Sequence, residues 1–143
     1  MKKILSILLV SIILFGCSKE RILSDELTNK GTYRSPIMYS ESGIFNGIEF
    51  DVYKNGQLKF EYNYKDGEKD GLREDWYDNG QKKIEGNYKN GKENGLFKVW
   101  YKNGQLNTEG KYIDGIKDGL HKGWLDDGEL VDQRNFKDGK RID

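Results

Sequence analysis

The sequence predicts an all-β protein, an elongated single-layer antiparallel meander of repeated β-hairpins with about eight strands. Three observations predict it. From Gly47 a 24-residue unit recurs four times without insertion, and self-similarity at a fixed period of this length marks stacked supersecondary units. Within each unit, two short runs rich in β-formers are separated by Asn-Gly or Asp-Gly signals, the pattern of hairpins in series. Finally, 13% of the residues are aromatic although 34% are charged and 18 are glycine, more aromatics than a disordered chain of this polarity carries. With one proline, Pro36, the glycines mark turns in folded structure better than a flexible linker.

Length and charge set the bounds. A chain of 143 residues has room for one domain and too little for two well-buried cores. Basic and acidic side chains both number 24, which gives neither the basic patch expected for nucleic-acid binding nor a polyanionic tail.

The first segment is an address. Lys2 and Lys3 precede the uncharged run from Ile4 to Phe15, 12 residues long. That is short of the about 20 apolar residues of a membrane-spanning helix and fits the hydrophobic region of a secretory signal. Residues 1–16 are therefore read as a signal peptide. The stretch Leu14-Phe15-Gly16-Cys17 resembles the bacterial lipobox, with an aliphatic residue three before the cysteine and a small one before it. Phe15 is the imperfect position. The resemblance implies cleavage after Gly16 and acylation of Cys17, the lipid attachment site, and hence a partner in the membrane itself. Two or more chains anchor stably, because each buried CH₂ contributes about 0.8 kcal/mol. Ser18 follows where an aspartate would favour inner-membrane retention, so the expected location is the cell envelope, and the outer membrane if there is one. Cys17 is the only cysteine, so the fold must stand without an internal disulfide.

Residues 17–46 follow as a lipidated amino terminus and tether. Its second half carries an echo of the repeats: Tyr39-Ser-Glu-Ser-Gly43 then Gly47 parallels Tyr64-Lys-Asp-Gly67 then Gly71 with one residue added, which suggests a degenerate capping strand.

The repeats are residues 47–70, 71–94, 95–118 and 119–142. Gly47, Gly71, Gly95 and Gly119 open each unit. Val52, Trp76, Trp100 and Trp124 hold the sixth place, and Tyr64, Tyr88, Tyr112 and Phe136 the eighteenth. In the second run Leu58, Phe60, Tyr62 and Tyr64 alternate with Gln57, Lys59, Glu61 and Asn63, giving one dry and one wet face. That alternation favours a three-residue loop, Lys54-Asn55-Gly56 with Gly56 left-handed, because it would seat the Val/Trp row on the dry face. A two-residue turn would shift the register by one and set that row beside the Lys and Glu row. In the same register Gly86 and Gly110 lie on the dry face and make room for neighbouring Trp or Tyr rings. In the last unit the alternating row becomes Leu130, Asp132 and Arg134, a charged end that discourages end-to-end growth.

The pattern Gly-Leu-x-x-x-Trp-Tyr-x-Asn-Gly-Gln-x-x-x-Glu-Gly-x-Tyr-x-Asn-Gly resembles the bacterial variant of the MORN repeat over residues 47–142. The first unit departs from it, with Val52 for Trp and Tyr62 for Gly. The resemblance implies the hairpin meander. It also brings an antitoxin-like label given to many bacterial members and a scaffold or membrane-adaptor role in others, but a fold does not fix a function.

No catalytic constellation emerges. His121 is the sole histidine, and a lone histidine on a strand is most often a surface residue. An acylated Cys17 cannot serve as a nucleophile. Neither a CxxC pair nor a calcium-loop spacing occurs, so no metal is expected, and without a GxxxxGK[ST] loop no cofactor. The Glu61, Glu85 and Glu109 row reads as a solvated face with Lys partners rather than as paired catalytic carboxylates. What remains is the aromatic stripe, with Trp76, Tyr77, Trp100, Tyr101 and Trp124 as candidate ligand-binding residues. The expected function is a non-enzymatic, membrane-anchored protein or peptide interaction module at the cell envelope. The alternatives are an immunity-type protein that neutralises a toxin and a binder of an envelope glycan; nucleic acid is not expected as a partner.

Overall fold

The computed structural model describes residues 19–29, 38–40 and 43–143. The signal segment, Cys17 and Pro36 lie outside them. The described chain is all-β, with no α-helix and one three-residue 3-10 turn at Ser24–Glu26. Its strands are β1 (Glu20–Leu23), β2 (Thr28–Asn29), β3 (Met38–Ser40), β4 (Gly43–Ile44), β5 (Gly47–Val52), β6 (Leu58–Lys65), β7 (Glu68–Trp76), β8 (Lys82–Lys89), β9 (Lys92–Trp100), β10 (Leu106–Ile113), β11 (Ile116–Trp124), β12 (Leu130–Lys137) and β13 (Lys140–Arg141). Strands β5 to β13 form the expected open antiparallel meander in sequence order, and β2, β3 and β4 a small separate sheet.

The main sheet has ten strands rather than eight. The short β13 is added at one end. At the other, β1 pairs in parallel with β5, from Glu20↔Gly47 to Leu23↔Phe50, within the stretch expected to be tether. Long-range parallel pairing carries no local sequence signal. Its reward is coverage of the β5 edge, whose unpaired backbone groups would otherwise invite another chain. Arg21 pairs with Glu61 and lies 5.1 Å from the centre of the Phe50 ring.

The buried hydrophobic cluster sits at this end: Leu27, Phe45 and Tyr64, with Ile22, Met38 and Tyr62 against them. Phe45 is wholly buried, a burial that contributes roughly 1.5–3 kcal/mol. Backbone bonds tie the small sheet to the first repeat, Met38 N–H to the Gly67 carbonyl and Gly67 N–H to the Phe45 carbonyl.

Two turn types alternate along the meander. At the long hairpins, Tyr53 N–H donates to the Gln57 carbonyl and Gly56 N–H to the Tyr53 carbonyl, with Gly56 at φ 84°. This is the expected three-residue loop, a type I turn closed by a left-handed glycine. At the other row, Asp66-Gly67, Asn90-Gly91, Asp114-Gly115 and Asp138-Gly139 have positive φ at both residues, the two-residue type I′ turn that Asn and Asp tolerate.

The loop does not, however, have the expected effect on the faces. Beside each one, a β-bulge adds one residue to the second strand: Asp51 pairs with Phe60 but Val52 with Leu58, leaving Lys59 extra. Lys83, Asn107 and Val131 are the corresponding insertions. The bulge cancels the parity of the loop. Val52, Trp76, Trp100 and Trp124 therefore pair with Leu58, Lys82, Leu106 and Leu130 on the face of the Glu and Lys row, opposite the face that carries Phe60, Tyr62 and Tyr64.

Candidate functional site

Strand alternation places the third, sixteenth and eighteenth residues of the repeats on one face. There the rings of Tyr88, Phe97, Tyr112, His121 and Phe136 make consecutive edge-to-face contacts across β8 to β12, at centroid distances of 5.6, 5.8, 5.2 and 5.1 Å. Edge-to-face geometry sets the positive rim of each ring against the negative face of its neighbour. Gly86 pairs with Phe97, and Gly110 with both Phe97 and His121. A methyl group at Gly86 would overlap the Phe97 ring, and one at Gly110 the His121 ring. The glycines do make room for rings on this face, but for Phe97 and His121 rather than Trp or Tyr. His121 is a rung of this ladder and not a simple surface residue; its Nε2 lies 2.9 Å from the Lys111 carbonyl.

In the first repeat Tyr62 stands where Gly86 and Gly110 stand later, and it stacks on Phe60 at 4.4 Å. Its cross-strand partner is Arg73, with the guanidinium 5.1 Å from the ring centre. Asp75 holds this corner together, pairing with Arg73 at 2.7 Å and accepting from the Tyr62 hydroxyl at 2.8 Å. Burial, and then the charge of Asp75, push the Tyr62 hydroxyl well above the usual phenol range. The Lys69 ammonium lies 3.9 Å from the Tyr62 ring centre and 5.7 Å from that of Tyr88. Burial, and next the charge of Arg73, draw its pKa below the usual amine range.

The ladder is half-buried, and among the described residues no second layer covers it. Around Gly110 and Gly123 it opens into a groove of about 200 Å³, lined by Phe97, Val99, Thr108, Tyr112, Lys117 and His121 among others.

The five aromatic residues singled out in the sequence lie elsewhere. Trp76, Trp100 and Trp124 are half-buried on the opposite face, where Lys82 bridges Glu74 and Glu85, and Lys98 faces Glu109 at 3.5 Å. Leu72, Leu96 and Leu120 are exposed on that same face. The tyrosines after the tryptophans join the repeats: the Tyr77 hydroxyl donates to the Trp100 carbonyl at 2.8 Å, and that of Tyr101 to the Trp124 carbonyl at 2.9 Å. Tyr53 makes the same bond to Trp76. Beside them the Asn55, Asn79 and Asn103 amides donate to the carbonyls of Asp78, Lys102 and Asp126. Each repeat thus hands two side-chain donors to its successor. The last repeat has Leu125 and Asp127 at those two places, which have no donor to give.

Three consecutive segments, residues 45–66, 69–90 and 93–114, match the family described as MORN repeat variant. Each segment so matched resembles that repeat, holds one long hairpin and ends at Asp66, Asn90 or Asp114, the first residue of a type I′ turn. The β11–β12 hairpin, beyond the matched segments, has the same loop and bulge. No curated protein matches the chain. Arg73 and Phe97, missed from sequence, and His121, read there as a surface residue, share the third place of the repeat. Their signal was a correlation between repeats: glycine at the sixteenth place of one accompanies a ring at the third place of the next.

Proposed function

We propose that this protein is a non-enzymatic peptide-binding module, held at a membrane surface of the cell envelope by acyl chains on Cys17. The observation that carries the binding half is the ladder from Tyr88 to Phe136, a continuous aromatic face that no other described residues cover. Contiguous aromatic surface left open on a folded protein marks an interaction site, and grooves of this composition suit extended peptides. The sequence around Cys17 supports the anchor.

The test is crosslinking capture from intact cells with tagged protein, beside Cys17→Ser and Phe97→Ala forms. A stoichiometric protein partner lost in both variants is the expected result. A partner kept by Phe97→Ala would move the site to the Trp face. A captured secreted toxin would make the module an immunity protein. Failure to capture any protein, with soluble glycan retained by the purified chain, would replace the peptide by a polymer.

A further inference from the structure

The charges of the ladder face set it apart from the opposite one. Lys69, Glu93 and Lys117 pair across the strands with Tyr64, Tyr88 and Tyr112, so they form a row of alternating sign beside the rings, on β7, β9 and β11. Among the described residues none of the three has an ion-pair partner. Lys69 and Lys117 rest over the Tyr62 and Phe136 rings, at 3.9 and 5.0 Å from their centres. On the opposite face, by contrast, Lys82 is paired with Glu74 and Glu85 and Lys98 with Glu109. Charges in a regular row without ion pairs of their own can meet a partner's.

Spacing identifies the partner's form. Successive members of the row stand two strands apart, about 9.5 Å at the usual inter-strand distance. A polyproline II chain has three residues per turn and rises about 3.1 Å per residue, so every third side chain returns to the same side after about 9.3 Å. A β-strand travels about 10 Å in three residues but turns the third to the other face. An α-helix rises only about 1.5 Å per residue, so three residues advance it about 4.5 Å, half the spacing of the row.

Building on the peptide-binding reading, we propose that the partner segment is a polyproline II peptide crossing the strands along the ladder. Its charges recur every third residue in the order acidic, basic, acidic, opposite Lys69, Glu93 and Lys117.

The experiment is fluorescence anisotropy with the full lipidated chain in detergent micelles. The labelled peptides are Glu-Pro-Pro-Lys-Pro-Pro-Glu, its charge-reversed form, and a form with Gln at all three charged places. The first should bind about five-fold or more tighter than the reversed form, since one favourable exposed pair is worth up to about five-fold. Glu93→Lys, with circular dichroism unchanged, should transfer the preference to Glu-Pro-Pro-Glu-Pro-Pro-Glu. Equal binding of all the peptides would overturn the charge register and leave the peptide module standing. Binding by none of them, while an unbiased peptide array gives ligands blocked by Phe97→Ala, would overturn the polyproline II form alone. No ligand from either source would sink the peptide module as well.

Discussion

The Tyr77 hydroxyl donates to the backbone carbonyl of Trp100, one repeat further along, at 2.8 Å. It joins one hairpin to the next from outside the strand ladder. Tyr77→Phe should therefore cost about 1 kcal/mol, the typical net worth of such a bond, read as a lower urea midpoint at unchanged slope. Tyr101→Phe should match it, and the pair should be additive within about 0.5 kcal/mol if the joints are independent.

Leu125 occupies the same place in the fourth repeat and carries no hydroxyl to donate. Leu125→Tyr should change stability by less than about 0.5 kcal/mol, as at an ordinary surface position. A larger gain in the same urea titration would mean that the tyrosines act by packing and not through their hydroxyls.

Gly86 faces the ring of Phe97 with no room for a methyl group. Gly86→Ala should destabilise by about 1–3 kcal/mol through overpacking. Combining it with Phe97→Ala should restore part of that loss, so the double-mutant cycle should show positive coupling. Additive losses would show that the glycine is there for its backbone alone.

Tyr62 and Tyr64 both have hydroxyls raised far above their ordinary value, chiefly by burial and then by Asp75 and Glu49. A folded-state pKa above the unfolded one contributes stability that is complete below pH 10 and is lost as pH rises beyond it. Lys69 shifts the opposite way, so its neutralisation favours the folded form in the same range and offsets part of the loss. Tyr88 and Tyr112 are raised as well, chiefly by burial, so the urea midpoint should fall steadily from pH 10 upward. Tyrosinate absorbance from these residues should appear only with unfolding, so titration of all nine tyrosines in the folded chain would contradict the burial.

The repeats, the hairpins and the three-residue loop were legible because Asn-Gly, Asp-Gly and two-residue alternation are local signals. The face of the tryptophans was not. Lys59, Lys83, Asn107 and Val131 have nothing in common that marks a bulge, yet one inserted residue reverses every side chain beyond it. The ladder was missed for a related reason. Its third-place residues, Arg73, Phe97 and His121, differ in chemistry from repeat to repeat, and what they share is a neighbour on the adjacent strand. Strand β1 was invisible since its partner, β5, lies more than twenty residues away.

The joints between repeats carry an inheritance of their own. Because Tyr53, Tyr77 and Tyr101 each bond the same carbonyl of the following hairpin, these hydroxyl joints are interchangeable, and a duplicated 24-residue unit would arrive with both halves of that joint already made. An array joined in this way can change its reach by whole units without inventing a new hydroxyl joint.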